Sequence, residues 1–185
     1  GRSCPNEKQS FVDYDNGEFA KIAIEKLVKK NRKHILMITP PQNQSYGLEM
    51  VQSAKNTAEK HNISLIIAPI MTSDSSITLI SDTVSKQIIN NKKIDGIIVG
   101  TPKGAMAAVA GFEKLNLTIG QDIDIVAKDA VNFLKLFRNQ IIVINENVEI
   151  AGKKLAEAAI HAAQNPDSEP IQYIDRPESN YTKFN

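Results

Sequence analysis

Residues 96–129 constrain the fold most, because they contain two short apolar runs separated by an alanine-rich segment of helix length. The first run is Gly96–Val99, and the second starts at Ile123 and ends at Asp129. This order predicts a strand–helix–strand unit, which requires a parallel sheet with helices packed on its faces. In open sheets of this kind ligands bind beyond the carboxyl ends of the strands. We therefore expect Thr101 and Asp129 to lie at a ligand-binding edge.

The same alternation of apolar runs and amphipathic segments continues along the rest of the chain. Helical spacing of apolar residues predicts helices at 17–30, from 47 to about 60, at 77–90 and at 148–163. Apolar runs predict further strands at 35–38, 65–68, 140–144 and 171–174. Five or six strands with helices regularly between them predict an α/β fold. The expected architecture is a doubly wound, mostly parallel sheet with helices on both faces.

Composition and charge exclude several classes of protein. The 185 residues suffice for one large domain or a domain and a half, and 42% hydrophobic residues can form a real core. A net charge of +1 argues against a nucleic-acid-binding surface as the main function. No apolar run approaches the roughly 20 residues of a membrane span. The chain starts without methionine or a secretory signal, so we expect it to begin inside a longer protein.

Signatures of enzymes and cofactor sites are absent from the sequence. There is no glycine-rich dinucleotide turn, no Walker-type lysine motif and no nucleophile elbow. Cys4 is the only cysteine, which predicts no disulfide and fits a reducing compartment. The three histidines, at positions 34, 61 and 161, are isolated and have no metal-ligand spacing. We therefore expect neither catalysis, cofactor nor metal, and a flavodoxin-like or other α/β enzyme is disfavoured.

Two motifs occur in an informative order. Asp15-Asn16 opens an amphipathic helix that leads into Lys33–Ile38, and Asp95–Val99 leads, after a helix, into Leu117–Val126. With these motifs the chain resembles the effector-binding part of the LacI/GalR family of bacterial transcription regulators. The likeness runs from about residue 1 to residue 175. It departs from the family at Gly120, which replaces a proline, and at the end of the last stretch, where Ala127-Lys128-Asp129-Ala130 stands for Gly-Phe-Asp-Asp and keeps only the first aspartate.

The resemblance implies a two-lobed, periplasmic-binding-protein-like fold with a small neutral sugar or similar polyol in the cleft between the lobes. Residues 1–146 and 165–178 would form the C-terminal lobe, and residues 147–164 a helix of an otherwise missing N-terminal lobe. Residues 179–185 would be a loose tail, and a DNA-binding headpiece would lie upstream. The protein would be a cytoplasmic homodimer that controls operator DNA, without a membrane partner. The alternative is a secreted sugar-binding protein of an uptake system.

The family's ligand positions carry over one residue at a time. Asp129 matches the aspartate that holds ligand hydroxyls or ring nitrogens, and its alternative role is to cap the helix that follows. Thr101 replaces the family's asparagine or serine and keeps one hydroxyl. Pro102 takes the place of the family's next residue, an aspartate, and it is equally plausible as a proline at the first position of a helix. Tyr46 lies in a loop position that commonly faces the ligand, but it could equally cover the core.

Three further positions complete the predicted site. Met71 lies where many members have an aromatic wall. Glu146 matches a glutamine before the closing helix; it could reach the cleft or cap that helix. Met50 corresponds to the arginine that typically grips the effector, which argues against an anionic or phosphorylated effector. The replacement of Gly-Phe by Ala127-Lys128 has no interpretation from sequence.

Overall fold

The computed structural model describes residues 9–69 and 71–177 of the chain. Cys4 and the predicted tail at 179–185 lie outside the described residues. The strands are β1 (Phe11–Tyr14), β2 (His34–Ile38), β3 (Ser64–Ile67), β4 (Gly96–Val99), β5 (Asp124–Asp129), β6 (Ile142–Asn145) and β7 (Gln172–Asp175). The helices are α1 (Asn16–Lys29), α2 (Ser45–Lys60), α3 (Ile77–Asn90), α4 (Pro102–Glu113), α5 (Phe133–Phe137) and α6 (Val148–Gln164).

The main sheet contains five strands in the order β3-β2-β4-β5-β6, and every neighbouring pair is parallel. The chain winds outward from β2 to β3, then returns past β2 to β4 and continues to β6. The strand order therefore reverses between β2 and β4, which is the switch point where ligands of such sheets bind. The predicted doubly wound, parallel architecture is confirmed.

Both faces of the sheet are covered because successive side chains of a strand point in opposite directions. Leu36 and Ile38 of β2 pack in one core with residues of α3 and α4. Ile35 and Met37 pack in a second core with residues of α1 and α2. Burial on both faces explains why these strands are continuous apolar runs rather than alternating ones.

The other two strands form a separate sheet. β1 and β7 pair in parallel, with Phe11 opposite Gln172, and α6 packs against both. β1 and β7, which the sequence assigned to the same lobe as the main sheet, thus lie in a sheet of their own, and the assignment of residues 1–146 and 165–178 to one lobe stays a prediction. Only the partner of a strand decides its sheet, and neither run carries a local signal for its partner. Two connections join this small unit to the main sheet, between β1 and α1 and between β6 and α6.

Candidate functional site

The carboxyl edge of the main sheet is the candidate site, because the switch point opens there. β2 ends at Ile38 and β4 at Val99, and these two residues are paired across the strands. Gly100 follows β4 and lies within ordinary van der Waals contact of Met50 and Pro40. A Cβ on Gly100 would lie 3.5 Å from Cε of Met50 and 3.6 Å from Cδ of Pro40. The apolar side chain of Met50 therefore packs against the chain directly after β4.

Met50 and Met71 do not line an open cleft. Met50 is 1% exposed and packs in the core between the sheet and α1 and α2. Met71 is 4% exposed and packs in the opposite core. In the structure both side chains are core residues, as suits an unbranched thioether, and a role of either residue in ligand binding stays a prediction.

Asp129 ends β5 and is 1% exposed. Its Oδ1 accepts a hydrogen bond from the Val131 N–H at 3.0 Å, and its Oδ2 accepts one from the Leu134 N–H at 2.7 Å. Asp129 therefore accepts from the first turn of α5 with one carboxylate oxygen and from the turn before α5 with the other, which agrees with its alternative role. A direct contact with ligand stays a prediction.

Thr101 and Tyr46 lie at the beginning of two helices next to the switch point. The Thr101 hydroxyl accepts a hydrogen bond from the Gly104 N–H at 3.1 Å and caps α4, with Pro102 at the first helical position. Tyr46 is half-buried in the first turn of α2. Thr101 follows β4 as predicted, whereas Tyr46 lies in a helix and not in the predicted loop; the role of both residues in ligand binding stays a prediction.

Glu146 connects the carboxyl edge to a buried polar cluster. Its backbone N–H donates to the Asp129 carbonyl oxygen at 3.0 Å, and its carboxylate forms an ion pair with Lys128. Glu146 does not cap α6. That role belongs to Asn147, whose side chain accepts from the Ile150 N–H at 3.0 Å. The Glu146 carboxylate is therefore not used for capping; it pairs with Lys128 at the carboxyl edge.

Lys128 is the residue of this cluster that sequence reasoning did not interpret. Its Nζ donates to Asn16 Oδ1 at 2.7 Å and lies 5.1 Å from the centroid of the Phe19 ring. The Asn16 amide in turn donates to the Tyr14 carbonyl oxygen at 2.9 Å. One signal was available in the sequence, because a lysine inside a strand buried on both faces requires a partner for its charge.

Burial raises the pKa of Tyr14, and the negative charges of Glu146 and Asp175 raise it further. The Tyr14 ring also lies 5.9 Å from the Lys128 ammonium, measured to the ring centroid. Tyr14 is thus a neutral phenol at physiological pH, with its ring beside a cation.

A small cleft of about 170 Å³ opens beside this cluster, between the end of β6 and the beginnings of α5 and α6. It is lined by Ala130, Asn132, Asn145, Glu146, Asn147, Val148 and Glu149. The Oδ1 atoms of Asn132 and Asn145 are buried and have no hydrogen-bond partner among the described residues. Since buried polar atoms are normally paired, these two oxygens are acceptors suited to a donor from a ligand.

The opposite edge of the sheet has a structural role. Arg32 Nε donates to Asp124 at 2.7 Å, and the Asp95 carboxylate accepts from the backbone N–H groups of Lys33 and His34. These bonds explain the basic turn before β2 without a ligand. Among the described residues, no group of three or more acidic, histidine or cysteine side chains is arranged to hold a metal ion, and no helix could span a membrane.

Comparison with known proteins agrees with this geometry. A family model for the periplasmic binding protein-like domain matches residues 24–181. The chain belongs to this family. The predicted likeness to LacI/GalR effector-binding domains is confirmed at the level of family and fold.

The relatives are distant in sequence and close in structure. The HTH-type transcriptional regulator CelR of Thermobifida fusca is 18% identical over 174 residues, which cover 92% of this chain and 50% of that protein. The chain thus spans about half the length of this curated relative. A solved complex of the transcriptional regulator CelR with cellobiose has a TM-score of 0.81 at 17% identity, covering 94% of this chain and 53% of the other. A LacI-family regulator from Enterococcus faecium with bound ribose has a TM-score of 0.82 at 15% identity, covering 95% and 65%.

Proposed function

We propose that this chain is the effector-sensing part of a LacI/GalR-type transcription regulator. It binds a small neutral sugar or similar polyol at the carboxyl edge and thereby controls the affinity of the protein for operator DNA. The family match and the similarity to CelR, a named transcriptional regulator, support the regulatory role. Cellobiose and ribose in the two similar solved structures support a sugar as the class of ligand.

The observation that carries the proposal is the set of acceptors in the cleft. Asn132 and Asn145 line the cleft and each has a buried oxygen without a hydrogen-bond partner among the described residues, and Glu146 adds a carboxylate whose charge is balanced by Lys128. Sugars and polyols supply several hydroxyl donors at close spacing, which is the chemistry that such acceptors require. Met50, which is apolar, provides no cation for an anionic group.

The two connections between the sheets support a mechanism by population shift. Residues 14–16 and 145–148 are the segments that bend when the small unit moves relative to the main sheet. A ligand that contacts both units favours one angle between them, in proportion to its differential affinity for the two arrangements. We propose that β1, α6 and β7 belong to the N-terminal lobe, and that the protein is a cytoplasmic homodimer whose DNA-binding headpieces lie outside this chain.

The experiment is a ligand screen on the full-length protein. Neutral monosaccharides and disaccharides, including ribose and cellobiose, are tested by thermal unfolding, because a ligand that binds only the native state raises the midpoint. We expect at least one to stabilise the protein and to change its affinity for operator DNA, measured by fluorescence anisotropy. Asn145→Ala should weaken that ligand by about three- to tenfold, the value of one neutral hydrogen bond. Asp82→Asn, an exposed change on α3, is the matched control.

Two results would count against the proposal. The absence of any stabilising neutral sugar would contradict the ligand class, and a secretory signal upstream in place of a helix-turn-helix would favour the secreted sugar-binding protein. Turnover of a substrate by the purified chain would instead support an α/β enzyme.

A further inference from the structure

Lys128 occupies an unusual place for a lysine. It lies in β5, whose six residues are all buried, and it is 8% exposed. An ammonium group in such a position is costly unless its charge is paired and hydrogen-bonded. The ion pair with Glu146 and the hydrogen bond to Asn16 Oδ1 meet both conditions, and the ring of Phe19 covers a further side.

The two polar partners of Lys128 lie on the two connections between the sheets. Asn16 is 4% exposed and begins α1 directly after β1. Glu146 lies between β6 and α6 and lines the cleft. Lys128 therefore pairs with a carboxylate that lines the cleft, while Lys128 itself is not one of the lining residues.

We propose that Lys128 is a positioning residue that makes the cleft selective for uncharged ligands. It fixes the Glu146 carboxylate as a hydrogen-bond acceptor and cancels its charge, so that the cleft neither attracts an amine cation nor offers a free cation to a carboxylate. Glu149, the other charged residue of the cleft, is exposed, and its charge is therefore screened by water. This inference rests on the proposed function, since it needs a ligand in the cleft.

The test measures the charge preference of the site in four full-length proteins: the wild type, Lys128→Met, Glu146→Gln and the double variant. The ligands are the neutral sugar from the screen, with glucosamine and glucuronate as the amine and acid probes. The wild type should bind the neutral sugar at least about tenfold more tightly than either charged probe. Lys128→Met should lose affinity for the neutral sugar and gain relative preference for glucosamine, because an uncompensated carboxylate attracts a cation.

The other variants test whether removal of the negative charge of Glu146 has the opposite effect on the charge preference of the site. Glu146→Gln should shift the preference toward glucuronate, since it leaves the ammonium of Lys128 without its counterion. The double variant should return to the neutral preference with weaker binding, and Lys128→Arg should keep it. These preferences depend on charge and would not follow from a loss of folding stability alone.

Lys114→Met and Asp82→Asn are the matched controls, because they break an ion pair of 2.7 Å that is half-exposed and outside the cleft. They should leave the charge preference unchanged. If Lys128→Met does not fold, Glu146→Gln and the double variant decide the question. If the neutral sugar binds but neither variant changes the charge preference, the inference is overturned and the proposed function stands. If the wild type binds no neutral sugar, the proposed function fails and the inference fails with it.

Discussion

Asp129→Asn distinguishes a capping role of this residue from a ligand-binding one. In the structure both carboxylate oxygens accept backbone N–H groups, from Val131 at 3.0 Å and from Leu134 at 2.7 Å. Asparagine offers one acceptor oxygen, and its amide nitrogen can only donate. One of the two backbone N–H groups must therefore lose its acceptor and face a second donor, and the Leu134 N–H is the one that is fully buried.

The magnitude follows from that loss. A hydrogen bond to a charged group contributes about 1.5–3 kcal/mol, and an unpaired buried N–H adds a desolvation penalty, so we expect a destabilisation of about 2–4 kcal/mol. Urea unfolding at neutral pH measures it, and faster hydrogen exchange at the Leu134 amide localises it to α5. Thr101→Val is the matched control, because it removes one neutral cap, the bond from the Gly104 N–H, and should cost about 1 kcal/mol.

The result that refutes this reasoning is specific. If Asp129→Asn unfolds within about 0.5 kcal/mol of the wild type, the caps are not what the carboxylate contributes. A tenfold loss of sugar affinity in such a stable variant would show that Asp129 contacts the ligand directly. A loss of stability with parallel, smaller changes in affinity would support the capping role.

Two further predictions concern groups near the same edge. Met50→Arg, which introduces the family's residue type, should lower the free energy of unfolding by at least about 3 kcal/mol, since the side chain would be a charge in a closed core; chemical denaturation measures this. The raised pKa of Tyr14 implies that the folded chain keeps a proton that the unfolded chain releases above pH 10.0. The stability contributed by the neutral phenol is therefore complete below pH 10.0 and is lost as the pH rises from there through the folded pKa. Unfolding midpoints across this range should fall less steeply in Tyr14→Phe, and an equal slope in both proteins would contradict the assignment.

The elements of the main sheet could be predicted because their signals are local. The helix predicted at 17–30 is observed at Asn16–Lys29, and the strand predicted at 35–38 at His34–Ile38. Helical spacing and uninterrupted apolar runs are properties of a few consecutive residues, and the doubly wound order follows from their alternation. The same local signals predicted which residues lie at the carboxyl edge.

Partnerships between distant segments could not be predicted in this way. β7 was recognisable as an apolar run, but its pairing with β1 joins residues near the two ends of the described chain. Lys128 and Asn16 are 112 positions apart, and only the folded sheet brings them within 2.7 Å. Asp129 was located correctly at the end of its strand, and capping of the next helix was one of its two predicted roles, but that both oxygens accept, from Val131 and from Leu134, depends on the path of the chain into α5.

Met50 and Lys128 together show why residue type alone does not define the charge of this edge. By the resemblance, Met50 stands where the family has an arginine and Lys128 where it has a phenylalanine, so one cation is lost from this edge and another is gained. In the structure neither position offers a free positive charge: Met50 is closed in the core, and the ammonium of Lys128 is paired with Glu146 and hydrogen-bonded to Asn16. An anionic effector would have to displace Glu146 from Lys128 and leave that carboxylate partly buried and unpaired. That exchange breaks one ion pair for each one that it forms, so an anionic group gains little. We therefore expect the edge to prefer a ligand that brings hydroxyl donors and no charge.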